Sequence, residues 1–277
     1  MPACANISTD VMSSPQPYPS LLTSLKIQMR VVFALTMREI ITRYGRHNIG
    51  FAWLFAEPML FTVGIAALWN LLHETGQGHE INVTAFAVTS YSTVLVWRNT
   101  IGRCTLAVEP NAALLFHRNV RVIDLFFARI TLEIVGTTLS MLVLTSTLIA
   151  IGIIDPPADV LNMAAGWVLL CWYSAALGLL IGGLCEYSEL VERLWHPISY
   201  FQLPVSGAFV MASWLPPNLR DIAMLFPAPN CVELFRYGYF GSQITPYYDV
   251  PYTIMVCAFL TWIGLAVVRD VSTRVEH

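Results

Sequence analysis

Residues 122–154, VIDLFFARITLEIVGTTLSMLVLTSTLIAIGII, and residues 161–184, LNMAAGWVLLCWYSAALGLLIGGL, are separated only by DPPADV. A hydrocarbon core about 30 Å thick needs roughly 20 consecutive apolar residues in one helix. Each stretch exceeds that length, and the two prolines between them cannot continue a helix. The pair therefore reads as two antiparallel membrane helices. Working outward by the same criterion gives further spans at about 49–72, 83–101, 194–215 and 252–268. The expected fold is an all-α polytopic membrane protein with six transmembrane helices. The first span contains Glu57-Pro58, and the fifth is interrupted by Pro197, Pro204 and Gly207.

Composition agrees with that class. Of 277 residues, 56% are hydrophobic and only 12% charged, with a mean hydropathy of +0.61. Soluble domains carry about twice that charge. Disorder and a soluble nucleic-acid binder are excluded, and so few charges could not cover a soluble enzyme of this size. The net charge of −3 gives no global basic field. The six cysteines (4, 104, 171, 185, 231 and 257) are scattered without a CxxC pair, which argues against a disulfide framework or a zinc site. Residues 1–20 are polar, with no basic residue and no apolar core of a signal peptide, and read as a flexible cytoplasmic tail.

The basic residues set the orientation. Of 15 Lys and Arg, 12 fall on one set of alternating sides and two, Arg220 and Arg236, on the other, with Arg129 inside the third span. Positive charge is retained on the cytoplasmic side, so both termini are expected there. Three segments are neither span nor short loop. Residues 21–44 place Leu22, Leu25, Met29, Val32 and Phe33 at helical spacing and read as an amphipathic helix in the cytoplasmic interface. Residues 105–121 form a mixed cytoplasmic segment with a short helix after Pro110. Residues 216–250 hold two apolar stretches too short to cross, which suits a helical hairpin dipping into the outer leaflet under cover of protein.

The catalytic inventory is empty. No G-x-x-x-x-G-K-[ST] loop exists, since the only lysine, Lys26, is followed by isoleucine. There is no H-E-x-x-H, no G-x-S-x-G and no aspartate cluster. The chain reads as a non-enzyme, and any energy source lies in another subunit. Arg129 and Glu133, one turn apart in the third span, read as a structural pair. Glu57 reads equally well as a pathway group or as an interfacial carboxylate tied to an arginine such as Arg98. Trp97, Trp195 and Trp214, near span ends, read as interfacial-belt residues. A membrane-embedded enzyme or a scaffold remains the non-transporter alternative.

Three stretches resemble a known family. Met37-Arg38-Glu39-Ile40-Ile41-Thr42-Arg43-Tyr44-Gly45-Arg46, with Gly50-Phe51-Ala52-Trp53 and Glu57-Pro58, resembles the first-span entry of permease subunits of ABC-2-type polysaccharide exporters. Leu203-Pro204-Val205-Ser206-Gly207-Ala208-Phe209 with Trp214-Leu215-Pro216 resembles the fifth span of the capsular-polysaccharide branch. Pro229-Asn230 followed by Glu233-Leu234-Phe235-Arg236-Tyr237-Gly238-Tyr239-Phe240-Gly241 resembles that branch's outer re-entrant hairpin. The likeness runs from about Leu21 to the C-terminus. The polar tail and the Asn-Cys pair at 230–231 are unusual for it.

The resemblance implies an ABC-2-type exporter fold in a bacterial inner membrane, with 21–277 as one transmembrane domain. It implies a second copy of the chain and two ATPase subunits that bind ATP and Mg, so no cofactor in this chain. It further implies a lipid-linked polysaccharide as cargo, periplasmic and outer-membrane export partners, and no nucleic acid. The 105–121 segment would be the coupling helix, with Glu109, Asn111, Phe116, His117 and Arg118 as contacts to the ATPase. Glu186, Glu189, Glu192 and Arg193 would offer a second contact. Arg38, Arg43, Tyr44, Arg46, Phe51, Trp53, Glu57, Tyr200, Phe201, Tyr237 and Tyr239 are the expected residues of the translocation pathway. Export of O-antigen or a teichoic-acid-like polymer is the alternative within the same class.

Overall fold

The computed structural model describes residues 20–44, 81–115 and 120–275, together with helical backbone at 56, 59–60, 62–64 and 67–68. In chain order the helices are α1 (Leu21–Tyr44), α2 (Val83–Cys104), a 3-10 turn (Glu109–Asn111) leading into α3 (Ala112–Leu115), α4 (Val122–Ala150), α5 (Val160–Cys185), α6 (Glu189–Val205), α7 (Pro217–Met224), α8 (Pro227–Phe240) and α9 (Val250–Val275). Three of the described helices are long and apolar enough to cross a membrane: Val122–Ala150, Val160–Cys185 and Val250–Arg274. At 1.5 Å per residue, the 29 residues of α4 extend about 43 Å.

α5 occupies the centre and packs on α2, α8 and α9. Its sequence explains why. Bilayer helices associate through small residues that let backbones approach, and α5 carries Gly166, Gly178, Gly182 and Gly183. A Cβ on Gly166 would lie 2.4 Å from the Phe235 backbone nitrogen in α8, and one on Gly182 would lie 2.6 Å from the Cys104 carbonyl in α2. α8 answers with Gly238, whose added Cβ would come within 2.0 Å of the Met163 nitrogen. Backbone hydrogen bonds from Ala158 and Asp159 to the carbonyls of Tyr239 and Gly238 (3.0 and 2.7 Å) fasten the same crossing.

The chain departs from the sequence expectations in three places. The third apolar stretch stops being helical at Ala150, before Gly152 with φ +74°. α6 starts at Glu189, capped by Ser188, and ends at Val205 rather than continuing to 215. Pro204 lacks the N–H to extend the helix, and Gly207 takes φ +75°, a left-handed conformation that a side chain would resist. Trp97 and Trp195 do not lie in an interfacial belt. They are 0% and 6% exposed and sit in one core cluster with Trp167, Tyr173 and Phe235. The glycines of α5 bring α2 close enough to enclose Trp97. Trp214, by contrast, is exposed.

α1 lies along α4. Gln28 donates to the Asp124 carboxylate (3.1 Å), and the same aspartate caps α4 by accepting from the Arg121 backbone N–H (3.0 Å). Leu22, Leu25, Met29 and Phe33 of α1 remain exposed.

Candidate coupling and translocation sites

Two polar networks lie at opposite ends of the bundle. The first is at the arginine-rich end, where α2, the 105–111 segment, α4 and α1 converge. The last turns of α1 present Arg38 and Glu39. Arg38 donates to the Asn111 side chain at 2.8 Å, and Asn111, itself buried, donates to the Ala107 carbonyl at 3.0 Å. Glu39 pairs with Arg129 of α4 at 3.6 Å. Arg129 in turn donates to the carbonyls of Arg103 (2.8 Å) and Leu106. The Arg103 carbonyl is in the last turn of α2 and that of Leu106 lies just past it, where no helical N–H follows, and a cation at a helix C-terminus is electrostatically favoured. Arg103 reaches Glu133 at 3.4 Å. Arg129 and Glu133 thus tie α4 to α1 and α2, where their spacing suggested a pair within α4.

The 105–111 segment is therefore held from α1 and α4 while its tip stays open. Glu109 and Pro110 are exposed. Glu186 lies just past α5. Burial, chiefly, and the Glu109 and Glu192 carboxylates raise its pKa above the usual carboxylate range, against the lowering effect of the Val108 backbone and of Arg129.

The second network is at the opposite end and is centred on α8. This helix is only 14 residues long, about 21 Å, yet nearly every residue in it is buried. Arg236 is 0% exposed and Glu233 1%. Arg236 donates to Ser90 Oγ of α2 at 2.7 Å and to the carbonyls of Gly207 and Ala208, and its guanidinium lies 4.4 Å over the Phe86 ring. Glu233 accepts from the Ala212 N–H at 3.0 Å and stands 4.0 Å from Arg236. One buried ion pair thus satisfies the backbone freed where α6 ends. Asn230 secures the corner before it, donating to the Met224 and Phe226 carbonyls and accepting from the Asp249 N–H (2.8, 2.9 and 2.8 Å).

Of the expected pathway residues, Arg38 joins the first network. Tyr200 and Phe201 lie on the open face of α6, 57% and 80% exposed, and Arg98 of α2 sits 4.5 Å over the Tyr200 ring. Tyr239 is buried, with its hydroxyl donating to the Asp155 carbonyl at 2.8 Å. Tyr237 is half-buried, its ring 6.1 Å from that of Tyr248. The side chains of Arg43 and Tyr44, and residues Arg46, Phe51, Trp53, Glu57, Phe116, His117 and Arg118, lie outside the described residues. The structure brings together Arg38 and Asn111, which the sequence assigned to separate sites. Sequence reasoning gave no site role to Glu39, Glu233, Arg236 or Asn230, and took Arg98 only as a partner for Glu57. A signal existed for the central pair: two opposite charges three residues apart inside an apolar stretch are placed for each other.

Among the described residues no cluster of three or more His, Cys, Asp or Glu is arranged to hold a metal ion. The ABC-2 type transporter family matches residues 30–240. The chain is 42% identical over 257 residues to the capsule polysaccharide export inner-membrane protein CtrC of Neisseria meningitidis serogroup B, covering 93% of this chain and 97% of that one. It is 39% identical over 253 residues to the capsule polysaccharide export inner-membrane protein BexB of Haemophilus influenzae, covering 91% and 95%. Likeness to the polysialic acid transport protein KpsM of Escherichia coli is 25% over 254 residues, covering 89% and 95%.

Proposed function

The chain belongs to the ABC-2 type transporter family, and on that premise we propose that it is the membrane-spanning subunit of an ATP-driven exporter of capsular polysaccharide. The observation that carries this reading is the end-to-end likeness to capsule-export inner-membrane proteins. No phosphate-binding loop stands in the sequence, so hydrolysis of ATP falls to a partner.

In this reading two copies of the chain pair with two ATPase subunits. Six spans cross the bacterial inner membrane with both termini in the cytoplasm, because the 12 basic residues on one side stay inside. The arginine-rich end is then the inner end. Residues 105–121 dock on the ATPase, and the exposed Glu109 presents the tip. The Arg38–Asn111 and Glu39–Arg129 contacts carry its displacement to α1 and α4. Spans one, two and five line the passage, and the α7–α8 hairpin caps its outer mouth. The cargo is a lipid-linked polymer received from the inner leaflet and handed to periplasmic and outer-membrane partners. A long polymer does not fit one closed cavity, so the cycle is processive along a channel. Aromatic faces with few fixed charges let successive sugars slide.

The test is deletion of the chain in its own host, followed by fractionation of polymer between cytoplasm and cell surface. The reading expects polymer to accumulate inside and to return to the surface on complementation. Unchanged surface polymer in the deletion strain contradicts it.

A further inference from the structure

Arg98 differs in its partner from the other arginines that tie the helices together. Arg103 meets Glu133, Arg129 meets Glu39, and Arg236 meets Glu233. Arg98 is half-buried in α2, five residues and about 7.5 Å further from the inner end than Arg103. Among the described residues its one partner is the ring of Tyr200, 4.5 Å away. A ring face holds a guanidinium by attraction to its π-cloud but takes up none of its N–H bonds. The donor edge stays available, and that edge matches the two oxygens of a carboxylate or phosphate. Tyr200 and Phe201 beside it are among the most exposed aromatics of the bundle. Pro197 breaks the hydrogen-bond ladder of α6 one turn earlier and removes a backbone constraint on this face.

A half-buried cation in a membrane protein is retained at a cost, and such groups mark ion and substrate paths. We propose that Arg98, seated on Tyr200, is a substrate-binding residue that takes an anionic oxygen of the transported molecule, a carboxylate of an acidic polysaccharide or a phosphate of its lipid anchor. The inference rests on the exporter reading and deepens it. It makes charge a selected property of the cargo: neutral stretches slide on Tyr200 and Phe201, and acidic ones are held briefly at Arg98. A fixed anion partner would abolish that function, and none of the described residues supplies one.

The experiment uses the full complex with its ATPase. A deletion strain is complemented with the wild-type chain, Arg98→Gln or Arg98→Lys. Recovery of surface polymer with the wild type establishes the exporter reading independently of Arg98. Arg98→Gln is expected to lose at least nine-tenths of export while the complex assembles and keeps basal ATP turnover. Arg98→Lys, which keeps the charge, recovers part. Export by Arg98→Gln at the wild-type level overturns the proposal.

Binding to the purified complexes separates a substrate contact from a structural one. The probes are polymer isolated from the same cells, the same polymer with its carboxylates amidated, and the same polymer freed of its lipid. Native polymer is expected to bind Arg98→Gln about tenfold more weakly than wild type. Loss of that difference on amidation assigns the contact to sugar carboxylates. Loss on removal of the lipid assigns it to the anchor phosphate. A difference that survives both treatments, or none with native polymer, overturns the assignment.

Discussion

The two ends of the bundle solve one electrostatic problem in opposite ways. At the α8 end, outside in the proposed orientation, Glu233 and Arg236 are 1% and 0% exposed, and their partners are Ser90 of α2 and backbone groups of the turns after α6. At the arginine-rich end, inside in that orientation, Arg129 is 8% exposed, but the Arg103 side chain of the neighbouring Arg103–Glu133 pair is 51% exposed, and Arg38 and Glu109 reach water. A fully buried pair has one good geometry, and breaking it strands a charge. A half-wet network can exchange partners with water at small cost. The outer network therefore holds shape, while the inner network can transmit movement. Outer substitutions should act on stability and inner ones on coupling.

The largest expected effect comes from Arg236→Met. It leaves Glu233 buried without its cation and strips the Gly207 and Ala208 carbonyls of their donor, at a cost of about 3–5 kcal/mol. Detergent-extracted protein should melt far below wild type by fluorescence-detected size exclusion, and the double substitution with Glu233→Met should recover part of the loss. Next is Gly238→Ala. Its Cβ would meet the Met163 nitrogen at 2.0 Å, so α5 and α8 must separate, with a loss of about 1–3 kcal/mol in the same assay.

The inner end should behave differently. Arg38→Ala removes one partly exposed hydrogen bond, about 1 kcal/mol or less of stability. Export and stimulated ATP turnover should nevertheless fall several-fold, because the tie between α1 and the 105–111 segment is cut. A variant that loses stability and keeps coupling would reverse the comparison.

How far all this could be read from sequence follows from the range of each interaction. Apolar length marks α4, α5 and α9, because a membrane helix meets its requirement within one segment. The end of α6 escapes that reading, since Arg236 gathers carbonyls 28 and 29 residues away. Trp97 and Trp195 sit near span ends, where an interfacial position is the default, and only the packing of α2 and α6 around α5 buries them. Arg38 and Asn111, 73 residues apart, carry no pattern that joins them. The resemblance puts Tyr239 in the translocation pathway, and its hydroxyl is committed to the Asp155 carbonyl, a contact no sequence pattern marks. Charge asymmetry, by contrast, is a global property, so the arginine-rich end was visible without any fold.

A smaller effect is expected from Glu186. Its raised pKa means that its stabilising contribution is present below the ordinary carboxylate range and is lost as pH rises through the raised value. Amide hydrogen exchange across 105–111, corrected for the intrinsic pH dependence, should show less protection at pH 8 than at pH 5, and Glu186→Gln should flatten the difference. The smallest effect belongs to Arg193→Ala. Its pairing with Glu189 joins side chains 77% and 84% exposed, and its loss should cost no more than about 0.5 kcal/mol.

The most direct test of the arginine-rich end as a coupling site is co-purification in detergent with the proposed ATPase partner from the same host, with ATP turnover measured for the ATPase alone and for the pair. The account predicts a stable complex whose turnover differs from that of the free ATPase, and a complex with Arg38→Ala that assembles but has lost most of that difference. A folded chain and a folded ATPase that fail to associate, or a complex whose turnover ignores Arg38, would contradict it.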